Sequence, residues 1–324
     1  MQVSRNVGRR YGVPQRFHAL LLITVFAAAF APRASGFESG RASFQITVNR
    51  QVTIPYRVFA VFARPGERMQ FSGDAVRASS ARGDIVESFD GVWEWTAPNK
   101  PGATELQFHS ADDVIKINAI TVHPSESASE GSLQSFRIGY YPEPLEGNPD
   151  YAAPDGYIEL SEVTAGLELS PHFQIDQFPS KQAGGFPKYL VLRESLLIKL
   201  ELLLERVNEH GIEADSFTIM SGFRTPAYNH ALGNVRNSRH IYGGAADLYI
   251  DVSPRDGVMD DLNDDGRLDY RDAQLLYAIA EELFSRDEHE SLRGGLGVYR
   301  STTAHGPFIH MDARGKRARW GLLP

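Results

Sequence analysis

The chain has 324 residues, 42% hydrophobic and 23% charged, a balance that excludes a disordered chain and a length that suits two domains. Its formal charge of −8 argues against a nucleic-acid partner, which needs a basic face. Cysteine is absent, so stability must come from core burial and bound metal rather than from disulfides.

Residues 1–17 carry Arg5, Arg9, Arg10 and Arg16 and no acid; Ala19 to Ala31 is an apolar run, and Ala34-Ser35-Gly36 is a small-residue cleavage site. This three-part layout predicts a secretory signal peptide over residues 1–36. The run is shorter than the ~20 residues of a membrane span, so membrane contact is expected only through the transient leader. The mature chain is expected to be periplasmic or secreted, and more acidic once the arginines of the leader are gone.

Residues 41–123 read as short strands. SFQITVN, QVTIPYRVFAVF, MQFSG, DIVES, VWEWTA, ELQFHS and VIKINAITV are rich in β-branched and aromatic residues, with turns at Pro65-Gly66 and Pro101-Gly102. That spacing predicts a β-sandwich of immunoglobulin-like architecture without the cysteine pair. Trp93 and Trp95 alternate, so they share a face; filling the core is favoured over forming an exposed glycan platform. Residues 124–169 follow as linker and arm. The Ser- and Glu-rich HPSESASEGSLQ reads as the linker, and FRIGYYPEPLEGNPDYAAPDGYIEL as an extended arm packed by its tyrosines on the next domain.

The second domain is expected over residues 170–324. His172, beside Pro171, reads as an ordinary hydrogen-bonding residue. Leu190 to His210 has apolar residues at helical spacing, with Gly211 as the stop. FTIMSGFR at 217–224 reads as a strand ending in Arg224, which either binds a substrate carboxylate through two parallel hydrogen bonds or pairs with a nearby aspartate. Tyr228 and Asn229 open a short helix that Gly233 ends. His240 and Asp247 stand seven positions apart. Gly243 and Gly244 allow a tight turn between them, and Ala245 and Ala246 leave room. The run from Asp247 to Asp251 alternates as a strand, as do His310 and Asp312. A catalytic zinc takes three protein ligands from N and O donors and keeps one position open for water. His240, Asp247 and His310 are the candidate set.

Between the second and third candidates lies a twelve-residue loop within the segment 256–284. Counted from Asp261, oxygen side chains fall on Asp261, Asn263, Asp265, Asp269 and Asp272 at positions 1, 3, 5, 9 and 12, with Gly266 at 6, an apolar residue at 8 and the Arg267 carbonyl at 7. This is the EF-hand arrangement with Asp in place of the final Glu, followed by the exit helix AQLLYAIAEELF; it predicts a structural calcium ion.

Three segments in order carry a resemblance. Ser238-x-His240-x-x-Gly243-x-Ala245-x-Asp247 is similar to the SxHxxGxAxD signature of the M15 zinc D,D-peptidases, which cleave peptidoglycan stem peptides. Ser221-Gly222-Phe223-Arg224 resembles that family's S-G-[YF]-R segment, and Phe308-Ile309-His310-Met311-Asp312 the ending of its H-x-D branch. The resemblance spans roughly residues 170–320. It implies zinc on His240, Asp247 and His310, with Arg224 positioning substrate. Pro307 and Phe308 stand where many relatives place an acid or a His near the last ligand. Asp312 is therefore expected as base or as partner of His310, with His305 the other candidate. Arg314, Arg317 and Arg319 form a basic strip that either holds acidic peptide or caps the fold. The expected fold class is α+β: an N-terminal immunoglobulin-like β-sandwich, then an M15-type α+β zinc peptidase domain with a small central antiparallel sheet. A wall-binding protein that keeps this fold without turnover is the alternative.

Overall fold

The computed structural model describes residues 36–321, so the expected leader, apart from Gly36, lies outside the described residues. Nine strands open the described chain: β1 (Arg41–Val48), β2 (Val52–Tyr56), β3 (Val58–Ala63), β4 (Arg68–Gly73), β5 (Arg77–Ser80), β6 (Ile85–Phe89), β7 (Val92–Thr96), β8 (Gly102–His109) and β9 (Val114–Thr121). They form two sheets, ordered β2-β1-β4-β7-β6 and β3-β9-β8-β5. Phe71 and Trp93 of the first sheet meet Phe108 of the second at ring-centroid distances of 5.1 and 5.7 Å, so the sheets face each other across an apolar layer. Trp93 and Trp95 are both buried in that layer, and Trp95 donates its indole N–H to the Arg82 carbonyl at 3.0 Å.

The run QVTIPYRVFAVF reads as one strand but forms two. Arg57 is exposed and pairs with Asp113, just before β9 (3.0 Å), and the chain bends there. β2 stays beside β1, while the apolar VFAVFA crosses to the other sheet and runs parallel to β9. A charged residue that must stay in water thus divides one apolar run between two sheets.

Short pieces follow: β10 (His123–Pro124), β11 (Ser132–Leu133), β12 (Phe136–Arg137), β13 (Gly156–Leu160), β14 (Glu168–Ser170), β15 (Phe173–Gln174) and β16 (Lys188–Leu190). The segment expected as a linker is tied down, because β10 pairs with β13. In the arm, Tyr151 and Tyr157 are buried, and the Tyr141 and Tyr151 rings lie 5.8 and 5.6 Å from that of Tyr242.

The long helix is α1 (Glu194–Glu209), four residues shorter at its start than its apolar run suggests. Residues 188–190 pair with β13 instead, and Gly211 at φ +81° ends the helix. Then come β17 (Thr218–Ser221), α2 (Pro226–Ala231), β18 (Ala245–Tyr249), α3 (Tyr270–Phe284), β19 (Gly295–Tyr299), β20 (Phe308–Asp312) and β21 (Ala318–Gly321). The central sheet has the order β17-β18-β20-β19-β21. It is mixed rather than wholly antiparallel, because β21 runs parallel to β19. The reason is topological: both edges of β20 are taken by β18 and β19. A tight reversal after β20 therefore brings the chain back along the outer edge of β19 in the same direction as β19.

Alternation splits this sheet into two chemically different faces. Ala246, Leu248, Leu296, Val298, Ile309 and Met311 point to one side and are fully buried, in the core that also holds the apolar residues of α1 and α3. Asp247, Gly297, His310 and Trp320 occupy the intervening positions and point to the other. The apolar residues of the two N-terminal sheets belong to the same contiguous core. Arg41 of β1 bonds Glu205 of α1 at 2.6 and 2.8 Å, and the Phe62 N–H donates to Glu194 at 3.2 Å. No helix among the described residues is long and apolar enough to cross a membrane.

Candidate metal centre

Strand register assembles the site. Ser221 lies opposite Asp247, Asp247 opposite His310, His310 opposite Gly297, and Gly297 opposite Trp320, so one row crosses all five strands on one face. His240 comes in from above on a 3-10 turn (Arg239–Tyr242) that closes with Gly243 in the left-handed region at φ +66°. A Cβ at Gly243 would stand 2.4 Å from the Val191 backbone, so the turn lies directly against the strand segment before α1.

Three donor atoms converge: His240 Nε2 lies 3.2 Å from both His310 Nδ1 and Asp247 Oδ1, and His310 Nδ1 lies 2.8 Å from Asp247 Oδ1. Donors ~2.0–2.1 Å from a tetrahedral zinc stand ~3.3–3.4 Å apart. The observed triangle is close to one face of such a tetrahedron, and its short edge is a hydrogen bond that a metal would replace. These residues are the one convergent group of three or more His, Cys, Asp or Glu side chains among the described residues, and all three are buried.

The outer nitrogens of both imidazoles are engaged. His240 Nδ1 donates to the Gly222 carbonyl at 2.7 Å, leaving Nε2 with its lone pair toward the site. His310 Nε2 faces Asp312 Oδ2 at 3.1 Å, leaving Nδ1 inward. Such partners fix tautomer and ring orientation. Burial lowers the His240 pKa despite the nearby Asp247, so this ring is neutral and ready to ligate. Burial also works against the charged form of His310, but hydrogen bonds to Asp247 and Asp312 outweigh it and push the pKa up to about 9. Without metal, His310 is therefore an imidazolium between two carboxylates, and its Nδ1 proton stands where a cation belongs. Asp247 is held well below the usual carboxylate range: burial opposes this, and the two histidines prevail.

Asp312 is fully buried and does not line the cleft. Its carboxylate accepts from the Gly295 N–H (2.8 Å), from Arg314 Nε (3.0 Å) and Nη2 (2.6 Å), and from His310. Its pKa lies far below the ordinary value, since these partners overcome the effect of burial. The geometry places Asp312 behind His310 as the partner that orients it, with no path to a substrate proton. Arg224 donates through Nη2 to Asp247 Oδ2 and through Nε to Ser221 Oγ at 2.8 Å, so the guanidinium holds the oxygen of Asp247 that faces away from the histidines.

The cleft above the triad has a volume of about 780 Å³, and its wall includes Arg224, Tyr299, His305, Phe308, Arg314 and Trp320. The sequence reading missed Gly295, Gly297 and Trp320. A Cβ at Gly297 would meet Trp320 Nε1 at 2.4 Å, and one at Gly295 would meet Asp312 Oδ2 at 2.3 Å. The indole lies over this bare strip with its ring centroid 5.1 Å from that of His310 and bonds the Tyr299 hydroxyl at 2.5 Å. Two glycines at alternating positions of one strand were the available signal, since they mark a surface that another group approaches closely.

The other expected residues fall elsewhere. His172 pairs with buried Glu201 at 2.6 Å and bonds the Glu38 carbonyl at 2.9 Å, far from the triad in role. In the expected calcium loop, Asp261 accepts from the Asp265 and Gly266 amides and Asn263 from Asp265. Asp265 accepts from the Arg267 amide and Arg271, and Asp269 and Asp272 form the capping box of α3. Their oxygens are turned onto loop amides and do not converge as the triad does.

Residues 172–263 match the family model described as Peptidase M15. Over these residues the chain is similar to the M15 peptidases. The match takes in Arg224, His240 and Asp247 and ends before His310, which the sheet register supplies. The likeness supports a peptidase of the metal-dependent, hydrolytic class, which the convergent His-Asp-His group suits. Neither the curated proteins nor the solved structures give a match to the chain.

Proposed function

We propose that this M15 peptidase is zinc-dependent and hydrolyses D,D-peptide bonds of peptidoglycan stem peptides or their cross-links. The observation that carries the reading is the donor triangle of His240, Asp247 and His310, with both outer imidazole nitrogens already committed. Zinc held there supplies a Lewis acid and a water that ionises near neutral pH. Arg224, fixed on Asp247 and Ser221, keeps Nη1 free beside the ligands to hold a substrate oxygen. His305, half-buried on the cleft wall with Nδ1 at 2.8 Å from the Gly306 carbonyl, is the group left to move protons at the substrate. The expected calcium in the loop Asp261–Asp272 rests on ligand spacing alone, the periplasmic or secreted location on the leader, and the immunoglobulin-like description of the two N-terminal sheets on their strand pattern.

One observation favours the second reading, a wall-binding protein without turnover: Asp247 is the sole acid among the described residues lining the cleft. A single experiment separates the two. Zinc and calcium are counted in the purified mature protein, and sacculi are digested with and without chelator by wild type, His240→Ala and His305→Gln. Zinc-dependent release of peptides is expected, lost together with zinc in His240→Ala and slowed at normal zinc content in His305→Gln. Full release by zinc-free His240→Ala ends the zinc reading, and unchanged peptide profiles despite bound zinc leave binding only.

A further inference from the structure

The basic strip Arg314, Arg317 and Arg319 divides in the fold. Arg317 and Arg319 turn to Glu281 of α3, on the helix-covered side of the sheet, and Arg319 also bonds the Gly294 carbonyl at 2.6 Å. Only Arg314 reaches the cleft. Its Nε and Nη2 are spent on Asp312, its guanidinium carbon lies 5.1 Å from the centre of the Trp320 ring, and Nη1 makes no hydrogen bond among the described residues. The result is a continuous hydrogen-bonded chain from Arg224 through Asp247, His310 and Asp312 to Arg314. Each end presents a guanidinium with a free terminal nitrogen to the same cleft.

The balance of charge in the cleft is cationic although the chain as a whole carries −8: among the described residues, three arginines line it against one acid, Asp247. The third, Arg239, is not available to a ligand. It is 2% exposed, gives Nη1 to the Asp150 carbonyl at 2.7 Å, and lies over the Tyr151 ring at 4.6 Å. That leaves two groups with different reach. Arg224 sits directly on a metal ligand, nearest the bond under attack. Arg314 sits one step further out: it and His310 share the Asp312 oxygen Oδ2, at 2.6 and 3.1 Å. Both guanidiniums line the cleft that holds the triad, so a peptide placed at the triad beside Arg224 can run on toward Arg314.

We propose that Arg314 binds the free C-terminal carboxylate of the peptide, which makes the enzyme select acids over amides and act as a carboxypeptidase. The inference rests on the peptidase reading above. Asp312 and Trp320 hold the guanidinium on two sides, so it needs no ordering to receive a planar anion. Asp312 therefore has two tasks, orienting His310 and anchoring the carboxylate receptor, and Arg314 is a specificity-determining residue.

The test is calorimetric titration of the zinc-loaded full chain with an acylated tripeptide ending in D-Ala-D-Ala, as the free acid and as its C-terminal amide. The proteins are wild type, Arg314→Gln and Arg314→Lys, matched for bound zinc, with product formation followed in the same samples. Wild type is expected to bind the acid at least about tenfold more tightly than the amide, as a charge-assisted hydrogen bond supplies. Arg314→Gln should abolish the ratio and Arg314→Lys restore part of it. A purely structural Arg314 would weaken both peptides alike, so retention of the wild-type ratio in Arg314→Gln overturns the proposal, as does equal binding of the two peptides by wild type. Loss of the ratio in Arg314→Gln without cleavage by wild type supports the carboxylate site and overturns the peptidase reading alone. Equal cleavage of acid and amide by wild type overturns the carboxylate site alone.

Discussion

Asp312→Asn is the sharpest test of how the centre is held. Asparagine has the shape of aspartate and retains one carbonyl oxygen. That oxygen can keep either the Gly295 N–H, now at 2.8 Å from Oδ1, or the His310 Nε2–H, now at 3.1 Å from Oδ2, but not both. With the oxygen on Gly295, the amide NH2 meets His310 Nε2 as a second donor. The imidazole must then accept there and move its proton to Nδ1, the nitrogen that faces His240 and Asp247. A protonated Nδ1 cannot ligate. Loss of an outer partner typically lowers metal affinity ~10–100-fold, or ~1.4–2.8 kcal/mol, and the tautomer change places this variant toward the upper end. Competition against a chromophoric chelator gives the zinc affinity, and nitrogen chemical shifts of the imidazoles give the tautomer. If Asp312 were instead the proton-transfer group at the substrate, Asp312→Asn would keep wild-type zinc affinity and lose turnover. Zinc binding within about twofold of wild type, with Nδ1 still unprotonated, would refute the orienting role.

Two further outcomes follow from the same geometry. Gly297→Ala places a Cβ 2.4 Å from Trp320 Nε1, so the indole must leave its place over His310; overpacking of this kind costs ~1–3 kcal/mol, and urea unfolding together with zinc titration should show both a less stable and a weaker-binding protein. Unchanged stability and affinity would mean that the indole moves freely. The metal-free protein carries the His310 proton at neutral pH, because its pKa stands at about 9 against an ordinary 6.5. That raised pKa stabilises the metal-free fold fully below about 6.5, and the contribution disappears as pH rises through about 9. Zinc must displace this proton, so affinity should rise about tenfold per pH unit toward about 9 and then level off. A flat profile between those limits would show that no proton is exchanged at the site.

The three candidate ligands were legible as a group because the pattern that marks them is written locally. His240 and Asp247 flank a glycine and alanine run that only a tight, uncrowded turn requires, and His310 alternates with Asp312 on a strand. Helix α3 and the strands of the N-terminal sheets were legible from periodicity for the same reason. The start of α1 was not: Leu190, Val191 and Leu192 suit either a helix or a strand, and the pairing of residues 188–190 with β13 drew the first of them out of the helix. Nor was the split at Arg57, which depends on where Asp113 lies.

What the residues alone determined, then, is which side chains are the candidates for the chemistry and the local turns that hold them. Tertiary structure decided what each one faces. Register across five strands brought Asp247 beside His310 and placed Gly297 beneath Trp320, and it put Asp312 behind His310 rather than on the cleft wall. It also sent Arg317 and Arg319 to Glu281 and left Arg314 at the cleft. The physical reason is the two-residue period of a strand. Slipping the pairing by one position would carry every one of these groups to the opposite face, and that pairing joins segments far apart in the chain.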